Sequence, residues 1–110
     1  MIRRIEYWLQ RRIRGWDDRE TWALNYEFIV WLNTRTKKYL ELADKIIDLD
    51  YHIFTYKGFR YSQRYIITKI IELTDEYLKI CEKDMFDERL ENIVKTTFDL
   101  FHLVYWAMWW

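Results

Sequence analysis

Residues 51–65 read YHIFTYKGFRYSQRY, which sets six aromatic side chains among Lys57, Arg60, Arg64 and His52 with no acid between them. Aromatic faces stack on flat rings, while guanidinium and ammonium groups meet phosphate or carboxylate oxygens. The stretch therefore reads as a site for a small anionic ligand that carries a ring, a nucleotide or cyclic nucleotide being the best match. Tyr51, Tyr56, Phe59 and Tyr61 are the candidate stacking surfaces, and Lys57, Arg60 and Arg64 the candidate phosphate contacts. Arg35 and Asn33, polar residues in the apolar sectors of a preceding helix, are further candidates, since polar groups placed there must be paired or face a cavity. A plainer reading stands beside this one: tyrosines between two helices also cover the edge of a core.

Other residues have types and spacings that bear on chemistry. Glu72/Asp75 and Glu88/Glu91 are two carboxylate pairs spaced i,i+3, the kind of arrangement that holds magnesium beside a triphosphate in all-helical nucleotide pyrophosphatases. On a helical wheel Glu72 and Glu88 lie opposite their apolar stripes, so they face outward and do not converge. Asp99-x-x-His102 is the only near match to a di-iron motif, and the inward glutamates such a site needs are missing. His102 reads as a hydrogen-bonded group in an apolar C-terminal interface, and His52 has only Asp48 one turn before it. Cys81, the single cysteine, falls on a core stripe where a thiol is inert. The expectation is a non-enzyme with no cofactor and no metal.

The elements that must position these residues follow from composition and period. The chain has 110 residues, no proline and only two glycines, Gly15 and Gly58. Apolar residues recur at three and four, so the chain reads as all-α, a four-helix, bundle-like single domain with one long central helix. The first helix covers 2–14, with Ile2, Ile5, Leu9 and Ile13 on one face, Arg3, Arg4, Arg11 and Arg14 on the other, and Gly15 as its cap. The second runs 18–49, capped by Asp17 or Asp18 with Glu20 in its first turn. It carries one stripe of Trp22, Tyr26, Ile29, Leu40, Ala43 and Ile47, and a second of Leu24, Phe28, Trp31, Tyr39, Leu42, Ile46 and Leu49. Ser62 caps a third helix over 63–83, whose core face is Ile67, Ile70, Ile71, Thr74, Tyr77, Leu78 and Cys81. Asp84 caps a fourth that buries Leu90, Ile93, Val94, Phe98, Phe101, Val104 and Tyr105.

Beyond residue 99 the back of that last helix also turns apolar. Leu103, Trp106, Trp109 and Trp110 read as an interface with a second subunit, so a homo-oligomer is expected. Charge is uneven: residues 1–38 hold nine Lys/Arg against five Asp/Glu, and residues 39–110 hold nine against thirteen. The two halves are thus complementary within a formal net charge of zero, and a zero balance argues against a dedicated duplex-DNA binder. The C-terminal run FDLFHLVYWAMWW is short of the ~20 apolar residues that span a bilayer. With no leader pattern and no cysteine framework, the chain reads as soluble, cytoplasmic and free of membrane.

Residues 15–41, GWDDRETWALNYEFIVWLNTRTKKYLE, resemble a group of small bacteriophage and prophage proteins of no assigned activity. Those carry an acidic turn, T-W-x-L-x-Y opening a long helix, and a Leu-Pro-Arg-Leu step beyond it. Thr21, Trp22, Leu24 and Tyr26 match the first part and Arg35 stands at the arginine; Asn25 replaces an aspartate, and Thr34 and Thr36 replace the proline and leucine. The resemblance implies a phage-encoded, non-enzymatic helical protein acting in the host cytoplasm. By analogy with small phage proteins, it would sequester a nucleotide signal of host defence. The alternatives are a protein–protein module that docks through its Trp-rich C-terminal helix, and a magnesium-dependent nucleotide pyrophosphatase.

Overall fold

The computed structural model describes residues 2–18 and 23–109, with the side chains of residues 2 and 3 left aside. Glu20 of the expected first turn, Thr21 and Trp22, the side chains of Ile2 and Arg3, and the terminal Trp110 lie outside the described residues. Two compact units are present, Met1–Trp31 and Leu32–Trp110.

In the first unit α1 spans Ile2–Arg14, as the arginine and isoleucine faces predict. It ends where Gly15 takes a left-handed φ of 84° and its N–H bonds back to the Arg11 carbonyl at 2.9 Å, the conformation that glycine adopts without steric cost. The two aspartates that follow fold back on α1. Asp18 is held by Gln10 Nε2 at 2.8 Å and Arg14 Nη2 at 2.6 Å, and the buried Asp17 pairs with Arg11 at 3.3 Å.

Helix α2 runs Leu24–Ala43, shorter than the expected 18–49. Residues 44–52 hold three aspartates, which compete for the backbone with their own side chains. Asp48 Oδ1 accepts the Asp50 N–H at 3.0 Å in such a turn. Ile47 and Leu49 still reach the core, but from this turn and not from a helix.

The largest departure from the expected all-α fold is a two-stranded antiparallel hairpin, β1 (Ile53–Tyr56) and β2 (Phe59–Ser62). It occupies most of the aromatic–basic connector. Lys57 (φ 50°) and Gly58 (φ 84°) form its two-residue turn with positive φ at both positions, the geometry whose twist matches paired strands. The Ser62 hydroxyl then accepts the Tyr65 N–H at 3.2 Å and starts α3, Gln63–Cys81.

Helix α4 covers Arg89–Val104 and ends in a 3-10 turn, Tyr105–Ala107. Asp84 caps a turn, accepting from Phe86 N–H at 2.9 Å. It is Asp87 that accepts from the Arg89 N–H, at 2.9 Å, at the start of the helix. The buried face of α4 is Leu90, Ile93, Thr97, Leu100 and Val104. Thr97 and Leu100 stand where Phe98 and Tyr105 had been expected, and both of those rings are exposed. Thr97 enters the core because its hydroxyl is satisfied by the Ile93 carbonyl at 2.8 Å, as Thr74 is by Ile70 at 2.8 Å. Helices α3 and α4 pack against each other, and Tyr39, Ala43, Leu49 and Ile67 form a core cluster beside them. Among the described residues no helix is long and apolar enough to cross a membrane.

Candidate functional site

Strand alternation decides what the connector presents. Phe54 lies opposite Tyr61, and Tyr56 opposite Phe59, while Thr55 lies opposite Arg60. Successive side chains on a strand point to opposite faces, so the rings of Tyr56, Phe59 and Tyr61 share one face of the hairpin and Arg60 occupies the other. The ring-bearing face meets α4, where the Tyr56 hydroxyl donates to Asp99 at 3.3 Å. Tyr61 stacks on Tyr65 with centroids 4.8 Å apart. Phe59 is 67% exposed. Lys57, at the hairpin tip, lies 5.4 Å from the Tyr56 ring centroid. Arg60 is exposed and has no ion-pair partner among the described residues.

The remaining candidates are spread out. Arg64 is clamped between Asp44 at 2.6 Å and Asp50 at 3.1 Å; these hydrogen bonds raise its pKa further, and two carboxylates already neutralise its charge. Asn33 is buried in α2, with Nδ2 donating to Thr74 Oγ1 at 2.8 Å and Asp75 Oδ1 at 3.0 Å. Those partners lie about 17 Å along α3 from its hairpin end, at about 1.5 Å per residue. Arg35 is exposed on α2, donating to Thr34 Oγ1 at 3.3 Å. Asn33 and Arg64 thus have internal partners, and the rings and Arg60 face apart.

A different set of residues converges. A recess of about 240 Å³ is lined by Ile47, Asp48, Tyr51, His52, Ala107 and Trp109. It joins the start of the connector to the Trp-rich C-terminal segment. The His52 and Tyr51 rings meet edge to face at 5.3 Å. The C-terminal wall is tied down from the inside: Gln63 Nε2 donates to the Ala107 carbonyl at 3.0 Å and to Tyr39 Oη at 3.4 Å. The Tyr39 hydroxyl donates to the Trp109 carbonyl at 3.3 Å. Burial pushes the Tyr39 phenol above its ordinary pKa, so it remains a donor at neutral pH. Above this anchor Trp106 is 82% and Trp109 71% exposed, while Leu103 is half-buried.

The acid pairs do not gather. Asp75 is held below the usual carboxylate range by Lys37 at 2.8 Å and then by Asn33. Glu72 pairs with Lys69 at 3.7 Å, and Glu88 and Glu91 are exposed. Among the described residues no group of three or more His, Cys, Asp and Glu could hold a metal ion. His102 is exposed on α4. Cys81 is buried, and desolvation pushes its thiol up, away from the reactive thiolate.

Sequence reasoning missed Asp48, Ile47 and Ala107 as lining residues and Tyr39 and Gln63 as anchors. Three aspartates within 44–50 beside Tyr51 and His52 were a visible local signal. The meeting of Tyr51 with Trp109 is long-range, and no spacing announces it. Comparison with known protein families, curated proteins and solved structures finds no match for this chain.

Proposed function

We propose that this chain is a protein–protein interaction module that docks through the aromatic surface at its C-terminal end, its first partner being a second copy of itself. The observation that carries this reading is the contrast between the exposed Trp106 and Trp109 indoles and the anchored backbone beneath them. Exposed tryptophans on an ordered segment lose little entropy on binding and are the residue type that dominates interfaces. The opposite net charge of the two halves of the sequence, nine Lys/Arg to five acids against nine to thirteen, adds complementary surfaces for self-association. Sedimentation velocity over a concentration series tests it. The wild type should associate, and Trp106→Ala and Trp109→Ala should each weaken association by about thirtyfold, since interface tryptophans cost about 2 kcal/mol or more each. A wild type that stays monomeric at high concentration overturns the reading.

A second reading keeps the anionic ring ligand, in line with the resemblance of residues 15–41 to small phage proteins. Its support is the exposed Phe59 beside the hairpin tip and the unpaired Arg60. Calorimetric titration with a nucleotide panel tests it; no binding, or binding that survives Arg60→Ala and Tyr56→Ala, ends it.

A further inference from the structure

We propose that the recess lined by Asp48, Tyr51, His52 and Trp109 binds an alkylammonium group. Its lining combines three aromatic residues, Tyr51, His52 and Trp109, with one acid, Asp48, and no lysine or arginine lines it. The negative faces of tryptophan and tyrosine rings attract a weakly hydrated organic cation, and a nearby carboxylate adds to that attraction. Asp48 has no ion-pair partner among the described residues; its Oδ1 only accepts the Asp50 N–H at 3.0 Å. The neighbouring Arg64 does not oppose a bound cation, because Asp44 and Asp50 already balance it.

The site is built before a ligand arrives. Gln63 spans both walls: its backbone N–H donates to the His52 carbonyl at 3.0 Å and its side chain to the Ala107 carbonyl at 3.0 Å. The Tyr51 N–H donates to the Asp48 carbonyl at 3.2 Å, closing the turn. Gln63 Oε1 is buried with no hydrogen-bond donor among the described residues. A cavity of about 240 Å³ takes a trimethylammonium head or the end of a lysine side chain, not a nucleotide.

The inference does not rest on the docking reading, since a small ammonium ion probes the recess without any protein partner. The experiment is a titration of ¹⁵N-labelled full chain with choline, following the indole N–H resonance of Trp109, assigned from Trp109→Phe. The uncharged isostere 3,3-dimethylbutan-1-ol is run in parallel. Choline should move the resonance at millimolar concentration, and the isostere should bind about five- to thirtyfold more weakly, the range that cation–π and charge attraction supply. Asp48→Asn keeps an oxygen for the Asp50 N–H and so preserves the turn; it should weaken choline about three- to tenfold with no change in melting temperature. A third arm uses Nα-acetyl-lysine methylamide and its trimethylated form. Binding at least as tight as choline assigns the recess to a lysine side chain of a protein, and binding of choline alone assigns it to a free amine. Equal binding of the isostere, undiminished choline affinity in Asp48→Asn, or no shift at tens of millimolar choline overturns the proposal.

Discussion

At the scale of single residues, several polar groups are tied up in pairs that their sequence neighbours do not reveal. Asn33 sits in the buried sector of α2 because Thr74 and Asp75 of α3 accept its amide. Asn33→Ala strips hydrogen bonds from a buried pair of helices, and urea unfolding should show a loss of about 1–3 kcal/mol. Asp87, by contrast, is held by a neighbour two residues on. Hydrogen bonds from the Arg89 guanidinium, at 2.8 and 3.0 Å, and from its N–H hold the Asp87 carboxyl at about 2, below the ordinary 3.8. A depressed carboxyl contributes its full stabilisation above the ordinary value and loses it as pH falls from 3.8 to about 2. Urea midpoints measured down that window should fall, and fall less steeply in Asp87→Asn.

At the scale of elements, α1 and α3 were legible to within two residues, because a three-and-four period with a glycine or serine cap is a local signal. The hairpin was not. Its two strands of four residues each are too short for their ring–polar alternation to stand out, and its turn is Lys-Gly where Asn-Gly would have announced it. The candidate site suffered from the same gap: once strands replace a connector, Arg60 and its neighbouring rings part to opposite faces. The turn also gives a test. Lys57 pays for a left-handed φ of 50° that asparagine adopts more readily, so Lys57→Asn should raise stability by about 0.5 kcal/mol. Gly58→Ala, at φ 84° with open space around a new Cβ, should lower it by about 1–2 kcal/mol. Thermal unfolding reads both.

At the scale of the molecule, the Leu32–Trp110 unit closes on its own C-terminal segment. Tyr39 from α2 and Gln63 from α3 together grip the carbonyls of Ala107 and Trp109. The helical content and the aromatic C-terminal surface were readable from composition and period. This closure was not, because it joins residues 44 to 70 positions apart. Tyr39→Phe removes the grip on Trp109 while keeping the ring in the core cluster. Its indole should then gain freedom, seen as a lower fluorescence anisotropy at Trp109 in a variant whose other tryptophans are phenylalanine. The same change should weaken self-association severalfold, because an unanchored side chain loses more freedom on docking.

The clamp of Arg64 between Asp44 and Asp50 closes the 44–52 turn with ionic contacts that solvent reaches, and dissolved salt screens contacts of that kind. Lys45 lies within this turn and is exposed, so loosening the clamp should open the bond after it to a protease. Trypsin should nick the chain after Lys45 slowly in dilute buffer and faster as sodium chloride is raised, and in Arg64→Ala the rate should be fast from the outset and indifferent to salt.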